Sequence, residues 1–364
     1  MHRLRLAAAL GPLTRALPAG FAAGFAAAAA LLVAATPVDA HGPAPAGPPD
    51  LATIALGWTF EPVIAIPLAL LALGWLLMVD HIDRHHPASR VPIVRTAAFL
   101  GGLFAIAVAL MSGIERYDTT LFSVHMVQHL VLMLVAAPLI VLSAPITQVL
   151  RVASPRVRQR WILPVLESTP IAVLSHPVVT WLTFTAVLWF SHFSALFDTA
   201  LRDPFIHDLE HGLFLGAAIL FWWPVVGLDP SPHRLSYPAR IGYLLVQLPF
   251  SSFLAMIVLF AGAPLYLHYA TLGAPYGISA LSDQQLAAGI MWFVGDIVVI
   301  GAILTMVGLW MGDEERRAPA ADRRADVQRA KLRANEARLA GRRAEGRVGE
   351  SQPSDGSGEA SSAR

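Results

Sequence analysis

Residues 123–145 read SVHMVQHLVLMLVAAPLIVLSAP, two imidazoles and an amide at the head of an apolar run about as long as a membrane crossing. A spanning helix needs about 20 mostly apolar residues. His125, Gln128 and His129 are spaced by three and four positions, which puts them on one helix face. Polar side chains in or near hydrocarbon are costly to bury, and that cost makes them a functional hypothesis. Residues 207–226, HDLEHGLFLGAAILFWWPVV, repeat the pattern with His207, Glu210 and His211. Two such faces brought together offer four imidazoles and a carboxylate to one metal ion.

Working outward, further apolar stretches give seven expected spans in all, near 61–79, 93–112, 121–142, 176–193, 206–227, 239–261 and 286–310. The 364-residue chain is 55% hydrophobic and only 14% charged, the balance of an integral membrane protein. The fold expected is all-α, a polytopic transmembrane helix bundle. There is no cysteine, so a metal site must draw on His, Met, Asp, Glu, Gln or backbone atoms.

Residues 1–40 read as a signal peptide. Arg3, Arg5 and Arg15 precede an apolar stretch at 21–35, and Val38-Asp39-Ala40 fits a small-residue cleavage site. Cleavage would leave His41 first, able to chelate copper through its amine and ring. An uncleaved helix is the alternative reading. Residues 41–60 then form a periplasmic lead, 61–311 the seven-helix membrane domain, and 312–364 an Arg/Ala-rich cytoplasmic tail that ends in a disordered stretch.

Arginine sets the expected orientation. One set of loops holds Arg84, Arg90, Arg95, Arg151, Arg156, Arg158, Arg160, Arg234 and Arg240, and the alternate set only Arg116 and Arg202. The expectation is a bacterial plasma (inner) membrane protein with its mature N-terminus outside and its C-terminus in the cytoplasm. That places His125, His129, His192, His207, Glu210 and His211 at the outer face, with His268, Glu61 and Asp283 as further members. Helix N-termini favour carboxylates, which accounts in part for Glu61 and Glu210 without any function.

Imidazole suits zinc, copper, iron and nickel, and nearby thioether (Met126, Met291) tilts the choice to copper. Facing histidines can also hold haem. For His176 the expected role is structural, and for His81, His85 and His86 a solvated loop. His207 to His211 also fits the H-x-x-E-H pattern of inverted zinc peptidases, but the companion motif lacks the glutamate, which points to ligation rather than hydrolysis. The protein is therefore expected not to be an enzyme. The basic tail has no interleaved aromatics, so no nucleic-acid partner is expected.

At these residues the chain resembles the CtaG-type cytochrome c oxidase assembly factors, polytopic membrane proteins. The blocks that carry the resemblance are WTFEP at 58–62, residues 123–145, His176-Pro177, Trp189 to His192, residues 207–227, and Asp283-Gln284-Gln285 through Gly289, Met291 and Trp292. Their order and membrane placement are the specific feature. The resemblance implies a role in assembling a haem–copper oxidase, in particular its copper centres, and related domains occur fused to copper-resistance membrane proteins. Implied partners are oxidase subunits, membrane lipid and a copper donor protein.

The site expected is transient copper held by His125, His129, His207 and His211. Glu210 and Gln128 are ligands or fix ring tautomers, and His192 and Met126 are secondary candidates. The alternatives are a copper transporter, or an oxidase scaffold whose histidines serve only in hydrogen bonds.

Overall fold

The computed structural model describes residues 46–350, so the expected signal peptide and His41 lie outside the described residues. Every regular element among the described residues is helical. Those used below are α1 (Pro62–His85), α2 (Ile93–Met111), α3 (Gly113–Tyr117), α4 (Phe122–Leu130), α5 (Ala137–Leu142) and α6 (Pro145–Val152). After short helical turns follow α7 (Pro177–Phe193), α8 (Ala195–Ala200), α9 (Pro204–Val226), α10 (Tyr237–Leu259), α11 (Leu267–Thr271) and α12 (Ala280–Glu350). One compact unit reaches to Leu304 and a second begins at Thr305.

Six helical stretches among the described residues are long and apolar enough to cross a membrane. The fourth expected span is α7, apolar but 17 residues long. At 1.5 Å per residue that is about 26 Å, short of the roughly 30 Å hydrocarbon core. The structure is thus an all-α polytopic bundle of six long helices with α7 packed among them.

Local chemistry sets the helix ends. Proline stands in the first turn of α1, α7 and α9, where its fixed φ suits the helix and its missing N–H costs nothing. Asp203 caps α9 by accepting from the amides of Phe205 and Ile206. Gly227 ends α9 in the left-handed region (φ 60°), and the Arg240 guanidinium donates to the terminal carbonyls of Val225 and Val226.

α4 and α5 are joined by one π turn, Val131–Ala136. Pro138 follows, and its ring would clash with the carbonyl four residues back in a regular helix, so a widened turn relieves the crowding. The turn leaves the Met133 carbonyl available, and Trp222 Nε1 donates to it at 2.9 Å. This bond ties α9 to the span that begins with His125. On the other side, α2 approaches closely at Gly102. A Cβ there would lie 2.8 Å from Ile140 Cγ1 and 3.2 Å from the Ala136 carbonyl. The apolar core between α4, α7, α9 and α10 includes Phe184, Phe214, Phe221, Trp222 and Leu254.

Candidate metal centre

The N-terminus of α4 is held from outside. The Asp283 carboxylate, on α12, accepts from the amide of Phe122 (2.5 Å) and from the amide and hydroxyl of Ser123. This cap sits two residues before His125 and fixes the start of the helix that carries both of its histidines. Asp203 does the same for α9, four residues before His207.

With both helix starts anchored at the same end of the bundle, their histidine faces meet. His125, His129 and His207 are fully buried, and Glu210 and His211 nearly so. Ring centroids lie 4.3 Å apart for His125–His129, 4.2 Å for His207–His211, 5.2 Å for His125–His207 and 5.5 Å for His129–His211.

Two donor sets follow. One ligand atom each from His125, His129 and Glu210 fall within 4.8 Å of one another, and so do one each from Asp118, His125 and His207. His125 Nε2 lies 3.9 Å from a Glu210 oxygen, and His207 Nε2 lies 3.7 Å from Asp118 Oδ2. These gaps are too long for hydrogen bonds. They suit two atoms that each bind one ion at about 2.0–2.2 Å.

The hydrogen-bond pattern carries the same message. Neither ring nitrogen of His129 and neither carboxylate oxygen of Glu210 makes a hydrogen bond, although all four atoms are buried. Buried polar atoms are ordinarily satisfied, so such a cluster calls for an explanation, and an ion is one. Gln128 has a different role. Its amide nitrogen donates to the Ala109 carbonyl and to Glu115, so its oxygen faces His211, whose Nε2 donates to it at 3.0 Å. The His211 proton is thereby placed on Nε2, and Nδ1 is the atom suited to coordinate.

Glu115 and Asp118 were not among the expected site residues, yet both are buried beside it. Burial pushes the Asp118 carboxyl well above the ordinary carboxylate range, against the opposing pull of the Thr119 amide. Its peptide carbonyl accepts from the Tyr269 hydroxyl at 2.6 Å, which pins the loop in place. The available signal was their position: acids in a short loop seven and ten residues before His125, in a chain with little charge.

Other expected members stand apart. Asp283 is a helix cap rather than part of either donor set. His268 donates from Nε2 to the Thr119 carbonyl at 2.8 Å. Glu61 occupies the N-cap position of α1. His192 is buried, donates from Nδ1 to the Leu188 carbonyl at 2.7 Å, and has no hydrogen bond at Nε2. Its ring lies 5.8 Å from Phe197 and 6.4 Å from Phe214, the aromatics that also pack on His125 and His129. Met126 sits in the apolar core cluster with Phe122 and Leu130. Both donor sets are drawn from imidazole nitrogen and carboxylate oxygen. His176 caps α7 through Nδ1, and His81 stacks on His85 near the end of α1.

The sequence profile described as cytochrome c oxidase caa3 assembly factor (Caa3_CtaG) matches residues 73–313. An uncharacterised protein of Mycobacterium bovis is 32% identical over 286 residues, which cover 77% of this chain and 43% of that protein. An uncharacterised protein of Mycobacterium leprae is 30% identical over 287 residues, again 77% of this chain and 43% of the relative. The chain thus spans less than half the length of the curated relatives it matches. No solved structure matches.

Proposed function

The chain belongs to the family of cytochrome c oxidase caa3 assembly factors, and from that premise we propose that it holds copper transiently at the outer membrane face and delivers it to an oxidase subunit. The observation that carries this reading is the convergence of four buried histidines, one of them (His129) with no hydrogen bond at either ring nitrogen. Copper suits the donor chemistry: imidazole and carboxylate are accepted ligands, and no thiolate is needed. Copper is cargo here, so the site must capture it and also let it go. A set of neutral rings and carboxylates in low dielectric holds a cation strongly while it is closed. Gln128 keeps His211 in one tautomer, and Asp283 keeps the α4 start in register.

The direct test is copper per haem in the terminal oxidase of a strain lacking this gene. Depleted copper with normal haem, restored by the wild-type gene but not by a variant with alanine at His125, His129, His207 and His211, is the expected result. Full copper in the oxidase of the deletion strain would remove the reading.

One observation favours transport as a second reading. Asp296 lies deep in α12 and accepts from the Ser252 hydroxyl. It lines a cavity of about 40 Å³ with Gln247, Ser251, Met133 and Met291. α9 is apolar past its histidines, but α10 and α12 supply polar groups at that depth. Copper uptake into vesicles, lost in Asp296→Asn, would establish this alternative; absence of uptake would leave delivery alone.

A further inference from the structure

The two donor sets are stacked and share one residue. His125 and His129 are about one turn apart on α4, and His207 and His211 about one turn apart on α9, a step of about 6 Å along each helix. The set nearer the helix starts is Asp118, His125 and His207. The set reaching one turn deeper is His125, His129 and Glu210. Each consists of two imidazoles and one carboxylate. We propose that these are two alternative seats for a single ion, a terminal seat built on Asp118 and an inner seat built on Glu210, with His125 retained as the ion moves between them. This rests on the copper reading above and adds to it a route by which a closed site is loaded and emptied.

The chemistry favours a stepwise exchange. An ion leaving the inner seat in one move would break all of its bonds to protein at once. With the second seat adjacent, His207 replaces His129 and Asp118 replaces Glu210 while His125 stays bound. The ligand count and ligand charge are the same at both ends of the move, since each seat carries one carboxylate. Asp118 belongs to the loop between α3 and α4, so the terminal seat lies on the side where the helices begin. Phe197 against His125 and Phe214 against His129 wall the pair with apolar rings, which keeps the ion on the ligand path.

The test uses the purified full-length protein in detergent, loaded with Cu(II) and challenged with excess EDTA. Copper per chain and the release rate are followed by the Cu(II) electron paramagnetic resonance signal, with monodisperse elution as the check on folding. Wild type is expected to hold one copper. Asp118→Asn and His207→Gln are each expected to keep that copper and release it about tenfold more slowly, and the double variant no more slowly than either alone. Glu210→Gln is expected instead to weaken retention at equilibrium. Unchanged release in the Asp118 and His207 variants, additive slowing in the double variant, or loss of all copper in Asp118→Asn would each overturn the two-seat route. So would two coppers per chain, which would mean both seats fill together. These outcomes leave copper binding itself standing. A wild-type protein that binds no copper would remove the copper reading and the route with it.

Discussion

The Gln128 side-chain oxygen accepts from His211 Nε2 at 3.0 Å, and that single bond orients a ring on α9 from a residue on α4. The amide cannot turn over, because its nitrogen is committed to the Ala109 carbonyl and to Glu115. Gln128→Leu removes the orienting acceptor and one donor each to the buried Ala109 carbonyl and the Glu115 carboxylate. Stability is expected to fall by roughly 1–3 kcal/mol, and copper affinity by less than the about 10- to 100-fold typical for the partner of a ligating histidine, because His211 belongs to neither donor set. Copper competition against a chelator and thermal unfolding in detergent measure the two effects separately.

Asp283 holds the start of α4 across a large sequence separation, through Phe122 and Ser123. Asp283→Ala should cost about 0.5–2 kcal/mol of stability, the usual range for a lost helix cap. It should also weaken copper binding although Asp283 belongs to neither donor set, because His125 follows directly on the freed turn. A variant with wild-type copper affinity and wild-type melting temperature would contradict this account.

A matching cap operates at the other end of the same span. The Asp229 carboxylate accepts from the amides of Ile146 and Thr147 and from the Thr147 hydroxyl at the start of α6. Burial raises its carboxyl above the ordinary 3.8, with the Thr147 and Ile146 bonds and Arg95 opposing. A raised acid binds more protons folded than unfolded, so this group's contribution makes stability fall as pH rises from 3.8 through the raised value. Asp229→Asn is expected to flatten that part of the pH profile, checked by melting temperature against pH for both proteins. An unchanged slope would show that Asp229 does not titrate in the folded chain as described.

Gly102 lets α2 lie against the π turn. In Gly102→Ala the new methyl group meets Ile140 Cγ1 at 2.8 Å and the Ala136 carbonyl at 3.2 Å. The side chain can shift, but the backbone carbonyl yields less. A loss of about 1–3 kcal/mol is expected, in the range of overpacked cores. Ile140→Ala in the same chain removes the Cγ1 atom that the methyl meets, so the double variant should be less destabilised than the sum of the two single changes. Thermal unfolding of the single and double variants decides.

Much of this architecture was legible because it is local. Spans could be read from runs of apolar residues, and each His-x-x-polar-His pair shares a face because helix geometry alone puts positions three and four apart together. The helical bounds found for 93–111, 177–193 and 237–259 lie within two residues of those expected. Asp283, expected among the polar cluster, is instead the cap of α4, since a carboxylate reads the same in sequence whether it faces a metal or an amide.

Sequence by itself determined that α4 and α9 each begin with a His-x-x-polar-His face, and that the 364 residues hold no cysteine to join it. Only the tertiary structure decided that the two faces meet, that Asp118 completes a second donor set, and that Gln128 orients a ring. The reason is physical. The face on which a side chain stands follows from the helical repeat. What lies opposite it follows from packing between elements far apart in the chain, here set by Gly102 against Ile140, Trp222 on the Met133 carbonyl, and Asp283 on the amides of Phe122 and Ser123.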